Sequence, residues 1–206
     1  MKDKKKFIRF LWMIPALIMC LVIGSVVAYA AMTVREEKVN FFQIGNFQTK
    51  IEEVFKEPTT ISPNTSVEKK VTIKNTGSVD QFIRVMILPE IRLESGESNR
   101  LLPSKIGEEV LLDLNTTQWK LGEDGYYYYL NVLESDPSKV TENLFTKVTL
   151  KKELGQEYQN ASFNLLVKVE AINCAKFAYR DAWWQGTTPN NGNLQIIDNQ
   201  LAGKAK

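Results

Sequence analysis

The residues that most often carry out catalysis are scarce in this chain of 206 residues. There is no histidine, which excludes Ser-His-Asp and Cys-His nucleophile pairs and histidine-containing zinc sites. Adjacent carboxylates, such as Glu52-Glu53 and Glu108-Glu109, point to opposite faces of a strand rather than toward one substrate. The sequence contains no glycine-rich phosphate loop. We therefore predict a protein that is not an enzyme and that needs no cofactor or metal.

The chain has two cysteines, and export would separate them. Cys20 lies in an N-terminal segment with the features of a signal peptide, so its removal leaves Cys174 without an intramolecular disulfide partner. A reactive thiol needs an activating base, and no histidine is present to provide one. We expect Cys174 to be a small, buried hydrophobic side chain.

The most conspicuous aromatic run is Tyr126–Tyr129, which follows the acidic loop Gly122–Gly125. Carboxylates suit calcium, but this loop lacks the spaced ligands of an EF-hand, so we favour a hairpin turn. Alternation along a strand would point two tyrosines inward and leave two at the surface. The pair Trp183-Trp184 is expected to cap the core, and its alternative role is to bind carbohydrate. The candidate ligand-binding aromatics are Tyr127, Tyr129, Trp183 and Trp184.

The first thirty residues have the pattern of a secretory signal peptide. Basic residues precede an apolar run from Phe10 to about Ala28, and the run ends in Ala28-Tyr29-Ala30. Ala28 and Ala30 supply the small side chains that a signal peptidase needs, so we predict cleavage before Ala31. The alternative is an uncleaved membrane anchor, since roughly 20 apolar residues can cross a bilayer. We predict an extracellular protein that contacts the membrane only through its uncleaved signal peptide.

The formal charge of +2 is unevenly distributed along the chain. Residues 1–30 carry a net charge of +4, so removing them leaves a mature chain with a net charge near −2. Such a chain lacks the basic surface that nucleic-acid binding requires. We therefore predict no nucleic-acid partner.

The mature sequence is dominated by a period of two residues, which is typical of strands with one buried face. The clearest run covers residues 163–171, where apolar side chains alternate with mostly polar ones, and residues 67–73 show the same alternation. Residues 81–93 are more uniformly apolar, which predicts a central strand covered on both faces. We expect Pro89 to end or bulge that strand.

Turn-forming residues separate these runs, for example at Ser62-Pro63-Asn64 and Asp136-Pro137-Ser138. At least seven short strands with such turns predict an all-β fold, a jelly-roll-like antiparallel β-sandwich with short helical connections. An N-terminal signal peptide helix would precede it. The helical candidates are Ala175–Trp184 and a short turn within Leu101–Leu114.

We divide the chain into four parts from these patterns. They are a signal peptide (1–30), an N-terminal assembly strand (31–38), a β-sandwich domain (39–184) and a flexible C-terminal tail (185–206). The tail is rich in Asn, Gly, Thr and Gln and contains few aliphatic residues. We therefore predict a poorly ordered extension or a loosely docked final strand there.

Several segments of the chain also follow one another in a recognisable order. They are Ala28–Ala31, Val39–Asn46, Val71–Gly77, Phe82–Val85, Trp119–Tyr129 and Trp183-Trp184. The block from Trp119 to Tyr129 is the most distinctive of them. In this combination the chain resembles the BsaA family of SipW-dependent biofilm matrix proteins of Gram-positive bacteria, which are relatives of TasA and camelysin. The resemblance covers roughly residues 2–184.

The resemblance implies a jelly-roll β-sandwich, export through a signal peptidase of the SipW type, and assembly with other copies into surface fibres or matrix. In TasA-like members the freed N-terminal segment inserts as a donor strand into the next subunit. Here that segment would be Ala31 to about Lys38. The candidate residues of the assembly strand are Met32, Thr33, Val34 and Val39.

Elementary physics supports polymerisation independently of the resemblance. An open sheet edge leaves unpaired N–H and C=O groups, and a strand from another chain can pair with them. Head-to-tail addition of this kind produces filaments unless it closes into a ring. Residues 35–38 are all charged, so Val39–Ile44 is either part of the donor or the first strand of the recipient.

Two other functions remain as alternatives. One is a monomeric cell-surface module that binds carbohydrate or another ligand through Tyr127 and the tryptophan pair. The other is a secreted hydrolase that uses carboxylates such as Glu52 or Glu109.

Overall fold

The described part of the chain forms two antiparallel sheets and two short helices. The computed structural model describes residues 49–55, 61–95, 98–136, 138–159 and 161–206. The strands are β1 (Thr49–Phe55), β2 (Ser66–Asn75), β3 (Gln81–Ser95), β4 (Ser98–Leu102), β5 (Val110–Leu112), β6 (Trp119–Leu121), β7 (Tyr127–Tyr129), β8 (Lys147–Leu150) and β9 (Ser162–Asn173). The helices are α1 (Ala178–Trp184) and α2 (Gly192–Ala202), and a 3-10 turn covers Gln156–Tyr158. The predicted signal peptide and assembly strand lie outside the described residues.

The strands pair in two groups that share one core. The first sheet has the order β1-β2-β8-β5, and the second has the order β4-β3-β7-β6 with β9 paired to β3. Every pairing between these strands is antiparallel. The inner faces of both sheets supply the buried side chains, among them Val71, Ile73, Val85, Val148 and Leu165. The predicted all-β, sandwich-like architecture is therefore confirmed.

The long strand β3 runs straight through Pro89, so the prediction that this proline ends or bulges the strand is wrong. One edge of β3 pairs with β9 from Gln81 to Arg92, with Pro89 opposite Leu165. The other edge pairs with β7 and then with β4, and Pro89 lies between those two partners. The Ser104 hydroxyl donates to the Pro89 carbonyl at 2.8 Å from the β4 side. The missing N–H therefore faces a gap in the ladder, where it costs no hydrogen bond.

A second, smaller core covers the opposite face of β3. It contains Phe82, Tyr128, Cys174, Tyr179, Ile197 and Leu201, which lie between the second sheet and the two helices. The first part of β3 is therefore buried on both faces, as its uniformly apolar sequence predicts. Cys174 is buried as expected, and burial raises the pKa of its thiol to about 12.

The C-terminal segment differs from the prediction of a flexible tail or a loose strand. Residues Gly192–Ala202 form α2, and Ile197 and Leu201 are fully buried against the second sheet. The few aliphatic residues of this segment recur at helical spacing, so a short apolar stripe is enough to dock it. Helix α1 lies within the predicted helical segment Ala175–Trp184. In the region Leu101–Leu114 a single turn connects β4 to β5, and its Glu108 and Glu109 N–H groups both donate to the Lys105 carbonyl.

Candidate functional site

The outer edge of β9 is the longest open strand edge in the described part of the chain. β9 has 12 residues and pairs with β3 on one side, and no described strand pairs with its other side. β1 is the end strand of the first sheet and pairs only with β2 within the described ranges. β1 and β9 also lie close together. The end strands of both sheets therefore meet along one side of the sandwich, which we call the open seam.

The side chains of β9 fit an edge that can accept another strand. On the inner face Leu165 and Val167 are buried, while Phe163, Val169 and Ala171 are only partly covered. On the outer face Leu166 is 58% exposed and lies directly opposite Leu88, which is 45% exposed. A strand added beside β9 would cover both its main-chain groups and this partly exposed apolar surface.

A charged cluster next to the open seam joins β3, β7 and β9 on their outer face. The register places Arg84 opposite both Tyr128 and Glu170. The Arg84 guanidinium donates to Glu170 Oε2 through Nε at 2.8 Å and through Nη2 at 2.6 Å. Its Nη1 lies 3.3 Å from Asp124 Oδ2 and 3.2 Å from the Tyr128 hydroxyl oxygen. The Tyr126 ring covers the guanidinium, with its centroid 3.9 Å from Arg84 Cζ.

This cluster holds its charges rather than exchanging protons. Burial raises the pKa of Glu170, but hydrogen bonds from Lys168, Arg84 and Tyr126 outweigh that effect and lower it to about 2. Burial and the Asp124 carboxylate both raise the pKa of Tyr128. Glu170 therefore stays ionised and Tyr128 stays neutral near neutral pH, so neither is suited to general acid-base catalysis there.

The same cluster fixes helix α1 to the sheet. Trp184 Nε1 donates to the Tyr128 hydroxyl at 2.9 Å, and the Trp183 ring lies 5.1 Å from Arg84 Cζ. Both indole rings also pack on Tyr128, with centroids 5.6 Å and 5.9 Å away. The tryptophan pair is thus half-buried as a cover over the second core, in agreement with the structural role predicted for it.

The acidic loop between β6 and β7 is a hairpin turn, as predicted. Gly122 N–H donates to the Tyr126 carbonyl at 2.8 Å. The Glu123 carboxylate accepts from Asn193 N–H at 2.6 Å and from Leu194 N–H at 2.9 Å, so it caps the start of α2. These two hydrogen bonds lower the pKa of Glu123. The loop carboxylates therefore serve the protein's own helix and the Arg84 cluster.

A groove of about 420 Å³, lined in part by the apolar side chains of Val140 and Phe145, lies on the side of the first sheet. Its lining includes Thr72, Asp113, Asn115, Thr141, Glu142 and Thr146. Asp113 Oδ1 accepts from Thr146 N–H at 2.7 Å and from Lys147 N–H at 2.6 Å, and Glu142 Oε2 accepts from the Tyr129 hydroxyl. Within the described ranges, no three acidic, cysteine or histidine side chains are grouped to hold a metal ion.

The structure places the four described candidate aromatics in two different cores, the tyrosines between the sheets and the tryptophans over the second core. Tyr127 and Tyr129, which the sequence offers as candidates for ligand binding, are 6% and 5% exposed in the core between the sheets, so neither side chain is open to a ligand. Tyr129 packs on Trp119 with ring centroids 5.0 Å apart. The run contains three consecutive buried tyrosines, because the second core covers the face that we expected to be wet. The cleavage and assembly residues lie outside the described part; they are Ala28, Ala30, Ala31, Met32, Thr33, Val34 and Val39.

Sequence reasoning missed the charged residues that organise the outer face. Arg84 is the single charged residue in the mostly apolar segment 81–89. Glu170 stands between the apolar residues Val169 and Ala171. A charge inside a strand that is covered on both faces indicates a buried partner. That signal could have singled out both residues, but only the register of β3 with β9 shows that they meet.

No protein-family profile matches the chain, and no curated protein matches it. Neither helix in the described part is long and apolar enough to span a bilayer.

Proposed function

We propose that this chain is an exported, non-enzymatic structural protein of the BsaA type that polymerises into extracellular biofilm matrix fibres. In this proposal a SipW-type signal peptidase cleaves after Ala30. The freed segment from Ala31 to about Lys38 then adds as a strand to the next copy, and the two sheets have the jelly-roll arrangement. The membrane is contacted only before cleavage.

The observation that supports the proposal is the outer edge of β9, which no other strand in the described part of the chain covers. Each main-chain hydrogen bond formed there would contribute about 0.5–1.5 kcal/mol net. Apolar burial would add about 25 cal/mol per Å², so side chains decide how durable the junction is. The partly covered inner face of β9 supplies such surface at Phe163, Val169 and Ala171. An open edge of this length in a monomer is otherwise a liability for unwanted pairing.

The charge pattern of the N-terminal segment suggests how it would fit. A strand beside β9 must present apolar side chains on its inner face, next to Leu165 and Val167. Met32 and Val34 share one face of an extended chain, and they meet this requirement. Residues 35–38 would place charged side chains on both faces of an added strand. They therefore fit only beyond the part of β9 whose inner face lines the core. Apolar character resumes in Val39–Ile44.

Truncation tests the proposal directly. Protein beginning at Ala31 should form filaments visible by electron microscopy and should sediment as polymers. Protein that begins at Val39 lacks the assembly strand and should remain monomeric. The control is a chain that retains residues before Ala31, so that its N-terminus is blocked. It shows whether assembly requires cleavage of the signal peptide. Equal polymerisation of all three proteins would contradict the proposal.

A pair of surface substitutions tests which edge accepts the strand. Leu166→Lys on β9 and Leu101→Lys on β4 replace leucines that are equally exposed, at 58% each. Lysine on an open edge discourages strand addition. The Leu166 variant should therefore assemble more slowly than wild type, while the Leu101 variant should assemble normally. The reverse order would show that β9 is not the acceptor.

The groove beside the first sheet supports a second candidate function, the binding of a ligand with both hydroxyl groups and apolar faces, such as a sugar. Its lining of amide, hydroxyl and carboxylate side chains suits such a ligand. Trp119 Nε1 donates to the Glu142 carbonyl beside the groove at 3.1 Å, so its fluorescence reports on occupancy. This function predicts a sugar-dependent change in tryptophan fluorescence with no change in sedimentation. Absence of any change across a panel of simple and polymeric sugars would exclude it.

A further inference from the structure

The start of α2 contains an Asn-Gly pair, a sequence in which the asparagine side chain is chemically unstable. Asn191-Gly192 is the only Asn-Gly pair in the chain, and both residues are exposed. An asparagine followed by glycine cyclises more readily than other asparagines, because glycine leaves the next backbone nitrogen sterically open. This feature is independent of the open seam and of fibre formation.

The Asn191 side-chain amide makes no capping hydrogen bond, because the Glu123 carboxylate caps the helix in its place. Asn191 is the N-cap residue of α2, a position where an asparagine side chain normally accepts a backbone hydrogen bond. Here the Asn191 side chain makes no such bond. The Glu123 carboxylate from the β6–β7 hairpin accepts from Asn193 N–H and Leu194 N–H instead. The Asn191 amide is thus left without a structural task.

The neighbouring backbone nitrogen is also uncommitted. Gly192 N–H is the first amide of α2 and has no backbone partner among the described residues. Gly192 has a φ of +68°, and a Cβ at this position would lie 2.4 Å from Glu123 Oε1. A larger residue at position 192 would slow cyclisation of Asn191, but it would also displace the Glu123 carboxylate from the start of α2. The structure therefore requires glycine at this position.

We propose that Asn191 is a site of spontaneous deamidation in the folded protein. The Gly192 nitrogen loses its proton and attacks the Asn191 side-chain carbonyl carbon. The new C–N bond closes a succinimide, while the bond to the side-chain nitrogen breaks and ammonia leaves. Water then opens the ring at either carbonyl, which gives aspartate or isoaspartate. No oxidant, reductant or enzyme is needed.

The product changes how α2 is held. Either product adds a carboxylate at the N-cap position of α2, where Glu123 already accepts from two amides of the first turn, and isoaspartate also adds a methylene to the backbone directly before the helix. The extra atom shifts Asn193 N–H and Leu194 N–H relative to Glu123. Helix α2 buries Ile197 and Leu201 over the second sheet, so the modification loosens the cover of the second core.

Peptide mapping of aged protein tests this proposal. The folded full chain is incubated in mildly alkaline, oxygen-18-labelled water, digested and analysed by mass spectrometry with fragmentation that separates isoaspartate from aspartate. We expect label to enter residue 191 several-fold faster than Asn115 or Asn131, with isoaspartate as a main product. In Asn191→Gln the amide and its exposure are kept but cyclisation is slow, so label at this position should be lost.

The comparison with other asparagines decides the outcome. Asn115 Oδ1 accepts from Gln118 N–H at 3.2 Å, and Asn131 Nδ2 donates to Gln118 Oε1 at 2.6 Å, so both are held by the fold. If Asn191 converts no faster than they do in the folded chain, the proposal is wrong, even if urea-unfolded chain converts quickly at Asn191. If it converts faster, hydrogen exchange of α2 should be faster in the modified fraction than in the unmodified one.

Discussion

A single arginine organises the outer face of the second sheet. Arg84 is almost fully buried, and it pairs with Glu170 and Asp124 while the Tyr126 ring covers its guanidinium. Buried ion pairs are not strong net stabilisers, because both charges lose their hydration. Removing one partner is nevertheless costly, because it leaves the others without compensation.

Replacing Arg84 by methionine should therefore destabilise the protein strongly. We expect a loss of about 3 kcal/mol or more in the free energy of unfolding, measured by urea denaturation. Arg92→Met is the matched control on the same strand and the same face, since the Arg92–Glu90 pair is partly exposed. That variant should lose less than about 1 kcal/mol. Equal losses in the two variants would show that the Arg84 cluster has no special role.

Glu170 should make the protein acid-sensitive in a defined pH range. Its pKa is lowered from 4.5 to about 2 in the folded state, so the folded state favours the ionised carboxylate. This stabilisation is fully present above the unfolded pKa and is lost as the pH falls through the folded pKa. As the pH falls from 4.5 to about 2, the free energy of unfolding of Glu170→Gln should consequently decrease less than that of wild type. Thermal unfolding at several pH values measures this, with Glu153→Gln as an exposed control.

Helix α2 is an integral part of the second core at the scale of elements. It is anchored at its start by Glu123 and in its middle by Asp198, whose carboxylate accepts from Arg180 Nε at 2.7 Å and from the Tyr179 hydroxyl at 2.8 Å. Burial and the Asp198 carboxylate raise the pKa of Tyr179 to about 12, so its hydroxyl remains a donor at neutral pH. The helix therefore fixes α1 as well as the sheet.

Two neighbouring isoleucines of α2 provide a direct comparison of core and surface. Ile197 is fully buried, whereas Ile196 is 46% exposed. Ile197→Ala should cost about 2–5 kcal/mol because it opens a cavity beneath the helix. Ile196→Ala should change stability by less than about 0.5 kcal/mol. Similar small effects at both positions, measured by chemical denaturation, would mean that α2 does not dock as described.

Local patterns account for the parts of the fold that the sequence could predict. The alternation in residues 67–73 and 163–171 reports burial on one face, so β2 and β9 were predictable without knowledge of their partners. Helix α2 was missed because its stripe is short and its flanking composition is typical of loops. The burial of Tyr129 and the pairing of Arg84 with Glu170 depend on register and on a second covered face, which are long-range properties.

At the scale of the whole molecule, the open seam is the place where the proposed assembly would add a strand from a second copy. The end strands β1 and β9 lie close together on one side of the sandwich. In the proposed assembly the added strand is the segment 31–38 of one copy and the acceptor is β9 of the next, so the two copies contribute different residues to the junction. Such heterologous contacts extend into filaments unless the rotation closes a ring. The proposal of fibre formation follows from this asymmetry.

Hydrogen exchange of β9 tests the proposed strand addition most directly. Protein beginning at Ala31 is compared before and after assembly, and the amides of Ser162–Asn173 are monitored. We predict that alternate amides of β9, which face away from β3, exchange quickly in dispersed subunits and become protected in fibres. Fibres in which these amides remain unprotected, or processed protein that stays monomeric at every concentration, would contradict the account.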